Sequence, residues 1–286
     1  MLSLKWVMFA VALLVAVWVA VALLGHWTWS KATEELERGL LAARRAPATA
    51  RFDPAELEGL PAPVQRYFRT SLTAGQRIVT AATIEHTGEF NMGDAQEHWK
   101  PFTSQQRVVA TRPGFVWNAR IAFVPGLAVR VHDAYVAGAG HLRAAVEGLW
   151  TVTELRNTPD LAEGELMRFF AEAAWLPTAL LPSQGVRWVG VDARTARATL
   201  DDGGLACTLT FRFDDAGLVG SVSADARGRT VGGRIEPTPW EGRWSNWQWR
   251  DGMRVPLDGE VAWLPAAGRR PYWRGSIASI AYRFAD

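Results

Sequence analysis

Residues 115–123 read FVWNARIAF and residues 205–213 read LACTLTFRF. In both stretches apolar and polar residues alternate with a period of two, so that Trp117 falls on an apolar face and Asn118 and Arg120 fall on a polar one. This alternation is typical of antiparallel strands that turn one face to a core or cavity and the other to solvent.

Similar segments, separated by Gly-, Pro- and Asp-rich turns, extend from about residue 77 to the C-terminus. One helix interrupts them. It begins at Thr158-Pro159-Asp160, which supplies a cap, a first-turn Pro and a first-turn acid, and it ends at Trp175-Leu176-Pro177. Because no strand–helix–strand alternation is present, we expect a mainly β (α+β) fold. We expect a curved antiparallel sheet or half-open β-barrel of about ten to twelve strands with one covering helix.

The N-terminus carries an apolar segment, Trp6–Leu24, which reads WVMFAVALLVAVWVAVALL without a charge. At 1.5 Å per residue it spans roughly 28 Å, close to the hydrocarbon thickness of a bilayer. Ala20-Val21-Ala22 resembles a signal-peptide cleavage site, but the apolar run continues past it. We therefore expect an uncleaved single-pass membrane anchor over residues 1–29, flanked by interfacial Trp residues.

The orientation of this anchor is less clearly marked. The basic residues after the segment, Lys31, Arg38, Arg44 and Arg45, favour a cytoplasmic domain. The five-residue head carrying Lys5 is typical of a signal-anchor, and a long downstream domain can be translocated regardless of its charge. We expect the bulk of the chain on the extracytoplasmic side.

Three regions follow from these patterns. After the anchor, residues 30–52 are expected to form a helical stalk. Residues 53–286 are expected to form a single β-rich domain with short N-terminal helices. One of these helices begins at Asp53-Pro54, and another runs from about Pro63.

Composition narrows the classes of function. The 31 basic and 29 acidic residues nearly balance, so nucleic acid is not an expected partner. Cys207 is the single cysteine, which excludes an internal disulfide and a Cys-based zinc site. The five histidines form no short-spaced ligand pair, and no nucleotide or hydrolase motif occurs. We expect no metal and no cofactor.

Polar residues on expected apolar faces are the candidates for a site. Asp133 shares strand parity with Val131 and Tyr135, so it is either a paired buried carboxylate or a polar anchor in a pocket. Glu172 either belongs to a solvated ion-pair ladder with Arg168 or faces the sheet and meets a strand arginine such as Arg120 or Arg227. His86 is either a core histidine or a base. The expected ligand-binding residues are Phe115, Trp117, Asp133, Tyr135, Phe169, Phe170, Glu172 and Trp175.

The helix region also carries a resemblance. Residues 171–182 read AEAAWLPTALLP, and this stretch resembles the signature of a bacterial membrane-anchored family catalogued as a domain of unknown function. Further matching stretches are Trp99-Lys100-Pro101-Phe102, Gly138-Ala139-Gly140, Pro239-Trp240 and Tyr272-Trp273-Arg274-Gly275. The resemblance extends from about Pro63 to the end and implies no catalytic residue. More loosely, the architecture resembles the periplasmic half-barrels that carry lipoproteins.

Three hypotheses for function remain open. The first is a non-enzymatic, membrane-tethered domain that binds a lipid, an acyl group or another apolar or amphipathic ligand. The second is a structural or protein-binding module of the cell envelope with a solid core. The third is an enzyme acting on a lipid-like substrate, with Asp133, Glu172 or His86 as acid or base. The first and third require a cavity, and the third also requires titratable groups that converge there.

Overall fold

The computed structural model describes residues 4–93, 96–232 and 234–286, and within these ranges one antiparallel sheet dominates the chain. Its strands are β1 (Val79–Asn91), β2 (Trp99–Val109), β3 (Gly114–Val124), β4 (Leu127–Val136), β5 (Ala139–Val146), β6 (Trp150–Arg156), β7 (Arg187–Asp192), β8 (Thr195–Asp202), β9 (Leu205–Phe213), β10 (Val219–Val231), β11 (Arg234–Arg250), β12 (Met253–Trp263) and β13 (Arg270–Phe284). The α-helices are α1 (Leu4–Ala42), α2 (Ala62–Ser71) and α3 (Pro159–Glu172).

The sheet is curved and open, which confirms the expected fold class. Its spatial order is β6-β5-β4-β3-β2-β1-β13-β12-β11-β10-β9-β8-β7, so two meanders meet where β1 pairs with β13. The thirteen strands of the described ranges exceed the expected ten to twelve by one. β6 and β7 are the unpaired edges, and the chain passes between them through α3 and three short 3-10 turns (Ala173–Trp175, Pro177–Leu180 and Pro182–Gln184).

The helix α1 continues without a break from the apolar segment into the first part of the expected stalk and ends at Ala42. From Gly25 onward it packs along the outer face of the sheet, where Trp29 stacks on the His132 ring at 3.9 Å and donates to Asn118 at 2.9 Å. Near its end, Leu40 packs against Val116 and its neighbours. Trp29 is therefore a contact of the domain and not the interfacial residue expected from the sequence, because the sheet buries it.

A glycine allows the closest approach of α1 to the sheet. A Cβ at Gly25 would lie 2.1 Å from the backbone oxygen of Glu147, in the turn between β5 and β6. Residues 4–24 extend beyond that turn, and their large apolar side chains are mostly exposed. This helix is long and apolar enough to span a membrane.

The two ends of the curved sheet differ. At the closed end, which carries the β9–β10 and β11–β12 turns, α2 packs Tyr67 against Phe213 and Phe68 against Trp188, with ring centroids 5.7 and 6.3 Å apart. Asp53 caps a 3-10 helix, Pro54–Leu57, which stands where a second helix was expected. We call the opposite end, with the β1–β2, β3–β4, β5–β6 and β10–β11 turns, the anchor end, because α1 leaves the domain there.

Candidate functional site

The helix α3 crosses the concave face of the sheet and has two distinct sides. Thr158 caps it by accepting a hydrogen bond from the Leu161 amide at 3.3 Å, as its sequence predicts. Its apolar side packs into the solid core, where Phe170 lies 5.6 Å from Phe211. Its polar side, which carries Glu165 and Arg168, faces a cavity toward the anchor end.

The cavity has a volume of about 650 Å³, with aromatic walls and a charged floor. The β1–β6 half of the sheet contributes Phe90, Trp117, Val131, Asp133, Leu142 and Leu155. The opposite half contributes Arg227, Trp240, Val261, Trp263, Tyr272 and Trp273. The floor comes from α3, so this helix separates the core at the closed end from the empty space at the anchor end.

Arg168 lies at the centre of the floor. Its Nη1 is 2.5 Å from Asp133 Oδ2, and its Nε donates to Glu172 Oε1 at 2.8 Å. Gln106 donates to the other Glu172 oxygen at 2.7 Å, and the guanidinium lies 5.0 Å from the Trp117 ring centroid. Burial alone would lower the pKa of Arg168, but the surrounding carboxylates outweigh it and raise that pKa above its ordinary value.

Glu165 is the most deeply buried acid of the floor. Burial, followed by the negative charge of Asp133, raises the pKa of Glu165 well above its ordinary value, although Arg227 and Arg168 oppose this shift. Its Oε1 lies 3.9 Å from Arg227 Nη2. In its protonated form Glu165 can donate a hydrogen bond to Asp133. Within the described ranges, Glu165 Oε2 and Asp133 Oδ1 have no other hydrogen-bond partner.

Arg227 forms a second cationic centre on the opposite wall. It donates to the Tyr272 hydroxyl at 3.3 Å, and Trp240 donates to the same oxygen at 2.9 Å. The guanidinium lies 5.2 Å from the Trp240 ring centroid and 5.8 Å from that of Trp263. Burial raises the pKa of the Tyr272 phenol, so this hydroxyl is neutral and can accept from both donors.

Three of the eight expected ligand-binding residues line the cavity, namely Trp117, Asp133 and Glu172. Phe115 lies beneath the Arg168 guanidinium, 4.7 Å away, and does not border the empty space. Tyr135 is buried elsewhere and donates to Asp202 at 3.0 Å.

Phe169, Phe170 and Trp175 also lie outside the cavity, because they belong to the core side of the α3 segment. His86 packs beside Trp175 in that core, with ring centroids 4.9 Å apart, and burial lowers its pKa to about 3. Its Nδ1 is 3.4 Å from the Ser104 hydroxyl, so His86 is a neutral core histidine.

Glu172 meets the arginine of its own helix, whereas Arg120 lies exposed on β3 and Arg227 pairs with Glu165. The sequence indicated Arg168 only as a ladder residue and Arg227 only as a possible partner of Glu172, and it did not mark Glu165 as a site residue. The available signal was the spacing 165, 168, 172, which puts three charged residues on one face of α3.

The Arg168 guanidinium occupies the space among these carboxylates. In the described part of the chain, no group of three His, Cys, Asp or Glu residues could hold a metal ion.

Comparison with known proteins places the chain in a family. Residues 58–282 match the model of the family of unknown function DUF6920, so the chain belongs to that family, as the sequence resemblance predicts. No curated protein matches it. Among solved structures, a LolA superfamily protein, NE2245 from Nitrosomonas europaea, aligns with 10% identity and a TM-score of 0.38, over 77% of this chain and 92% of that one.

A second solved structure is a β-barrel-like protein of the domain of unknown function DUF1849 from Brucella abortus. It aligns with 10% identity and a TM-score of 0.23, over 72% of this chain and 99% of that one. At TM-scores below 0.5, neither likeness indicates what this chain binds.

Proposed function

We propose that this member of the DUF6920 family is a membrane-tethered binding protein for one amphipathic molecule, such as a lipid or an acylated compound, and that it acts without chemical change to that molecule. The observation that carries the proposal is the cavity of about 650 Å³ between α3 and the anchor end. Small-molecule sites in proteins typically measure about 300–1,000 Å³, so the space suits a single ligand.

The lining indicates the chemical character of the ligand. Walls formed by Trp117, Trp240 and Trp263 offer large apolar surfaces to a chain or ring. The floor offers the Arg168 guanidinium and the carboxyl groups of Asp133 and Glu165. A ligand with an apolar body and one hydrogen-bonding polar group would satisfy both parts of the lining.

The helix α1 would keep this cavity beside the membrane. We propose that the apolar segment Trp6–Leu24 remains uncleaved as a single-pass anchor and that the domain lies on the extracytoplasmic side. Active alkaline phosphatase fused to the C-terminus would support this orientation. A fluorescent cytoplasmic reporter together with an inactive phosphatase would reverse it.

Native mass spectrometry of the full chain, purified from cells in mild detergent, tests ligand binding directly. Filling the cavity with Leu142→Trp should remove the bound molecule, because Leu142 lines the empty space. Val152→Trp is the matched control, because Val152 is exposed on the edge strand β6. A parent protein that carries no ligand and binds no apolar fluorescent probe would favour the structural module with no binding role.

One observation also favours a second candidate, an enzyme acting on the bound molecule. Glu165, whose pKa burial raises, lies beside Asp133 at the cavity floor, and such a pair can supply a general acid and a general base. Glu165→Gln should then change which chemical species co-purifies with the protein. The same species bound to the parent and to Glu165→Gln would support simple binding.

A further inference from the structure

The course of α1 fixes which end of the domain lies nearest to the membrane. Leu40 lies beside Gly114 at the start of β3, whereas Gly25 touches Glu147 in the β5–β6 turn. The helix therefore runs along the sheet from the closed end to the anchor end, over roughly 22 Å at 1.5 Å per residue. The apolar segment Trp6–Leu24 begins directly beyond that turn, with no spacer between membrane and domain.

Exposed apolar side chains lie at the tips of the same anchor-end hairpins. They belong to four different turns and are between 37% and 57% exposed: Met92, Phe123, Val124, Trp150, Val231 and Ile235. Exposed apolar residues that cluster on one side of a domain mark an interaction surface, whereas single scattered ones need no explanation. Away from these tips, the sheet also exposes Val152 on β6, Val189 and Val191 on β7, and Trp249 near the β11–β12 turn at the closed end.

Basic groups accompany one of these tips. Lys100 and Arg120 line a small pocket with residues 122–127, the tip of the β3–β4 hairpin, and no acidic residue lines that pocket. Cations beside exposed Phe123 and Val124 match the boundary between anionic headgroups and acyl chains.

The cavity opens at this end as well. Its outer edge includes Asn91 and Glu97 of the β1–β2 hairpin, Thr230 and Ile235 of the β10–β11 hairpin, and on one side the first turn of α3. At the closed end, α2 packs on the core, with Tyr67 against Phe213 and Phe68 against Trp188.

We infer that the anchor end rests on the bilayer, with the hairpin tips in the headgroup region and the cavity mouth opening onto the membrane surface. The partner of this face is the lipid bilayer itself, and the ligand of the cavity passes between protein and membrane without crossing bulk water. The second statement rests on the proposed function, whereas the contact between tips and bilayer does not.

Fluorescence quenching in vesicles of phosphatidylethanolamine and phosphatidylglycerol tests this contact with the full chain. An environment-sensitive label is placed at Phe123→Cys or Ile235→Cys, and the native Cys207 is buried and does not compete. Lipids with a quencher on the acyl chain should dim both labels nearly as much as a label at Leu23→Cys within the span. Trp249→Cys is the matched control and should keep its intensity.

The inference requires both tips to be quenched. If either tip loses no more intensity than Trp249→Cys, the domain does not rest on the membrane in this way. Quenching of both tips in a protein that carries no ligand and binds no apolar fluorescent probe would uphold the membrane contact and refute the proposed function. A ligand-bound protein whose tips are not quenched would support the proposed function and refute the membrane contact.

Discussion

Replacing Arg168 by Met tests whether the cavity floor is a balanced cluster of charges. Met keeps much of the aliphatic contact with Phe115 and Trp117 but removes the only cation within 3 Å of Asp133 and Glu172 among the described residues. The side chains of these two carboxylates are only 16% and 15% exposed. Removing one partner from a buried ion pair typically costs about 3–5 kcal/mol.

The expected loss lies near the lower end of that range, at about 3 kcal/mol, because two features compensate the carboxylates. Gln106 still donates to Glu172, and water can enter the cavity beside Asp133. Urea unfolding of the full chain in detergent, followed by Trp fluorescence, measures the loss. It should shrink as the pH falls from neutral, because an uncompensated buried carboxylate has a raised pKa and gains a proton.

Two further variants make the result specific. Adding Asp133→Asn and Glu172→Gln to Arg168→Met should recover at least about half of the loss, because no buried charge is then left unpaired. Arg194→Met breaks an exposed pair with Asp215, whose two side chains are 58% and 82% exposed, and should cost less than about 1 kcal/mol. If Arg168→Met costs no more than Arg194→Met, the floor is solvated and our account of its electrostatics is wrong.

Four more substitutions probe the rest of the structure. Glu165→Gln should stabilise the protein at neutral pH, because burial raises the folded-state pKa of Glu165. In urea titrations the gain in stability should vanish below pH 4.5, the ordinary pKa of a glutamate, and should grow as the pH rises toward the folded-state pKa. Phe169→Ala and Phe170→Ala should each cost about 3–5 kcal/mol without altering apolar-probe binding, since neither lines the cavity. Trp29→Ala should expose α1 to limited proteolysis after Gly25, and unchanged digestion would contradict its docking on the sheet.

The strands and α3 could be predicted because their signals are local. Period-two alternation identifies a strand whatever its partner is, and the cap at Thr158 fixes where α3 begins. The Trp-rich strand β11 departs from this alternation at one position, although its pairing with β12 shows no register shift. Asn246 has a φ of +56° there, and beyond it Trp247 packs against the same core as Trp244. The docking of α1 was not predictable, because Trp29 is equally suited to a membrane interface and to a stack on His132.

The candidate site was predictable only in part, because strand parity shows a face and not what lies opposite it. Parity placed Trp117 and Asp133 correctly on the concave face. It could not show that Arg227, which lies 110 and 94 residues further along the chain, would face them across the cavity. On α3, Phe169 and Phe170 were expected to bind the ligand, but their side of the helix packs against the core.

The charged floor itself bears on the choice between a binding domain and a solid structural module. Replacing a buried ion cluster by packed apolar residues is often neutral or stabilising by about 1–4 kcal/mol. A domain selected for packing alone would therefore gain little from Asp133, Glu165, Arg168 and Glu172 at the middle of its concave face. Glu165 is costly to bury in its charged form, because burial and the negative charge of Asp133 raise its pKa well above the ordinary value. Charged and polar groups at the floor of an empty, aromatic-walled space can meet the polar group of a ligand, and for this reason we favour binding over a structural role.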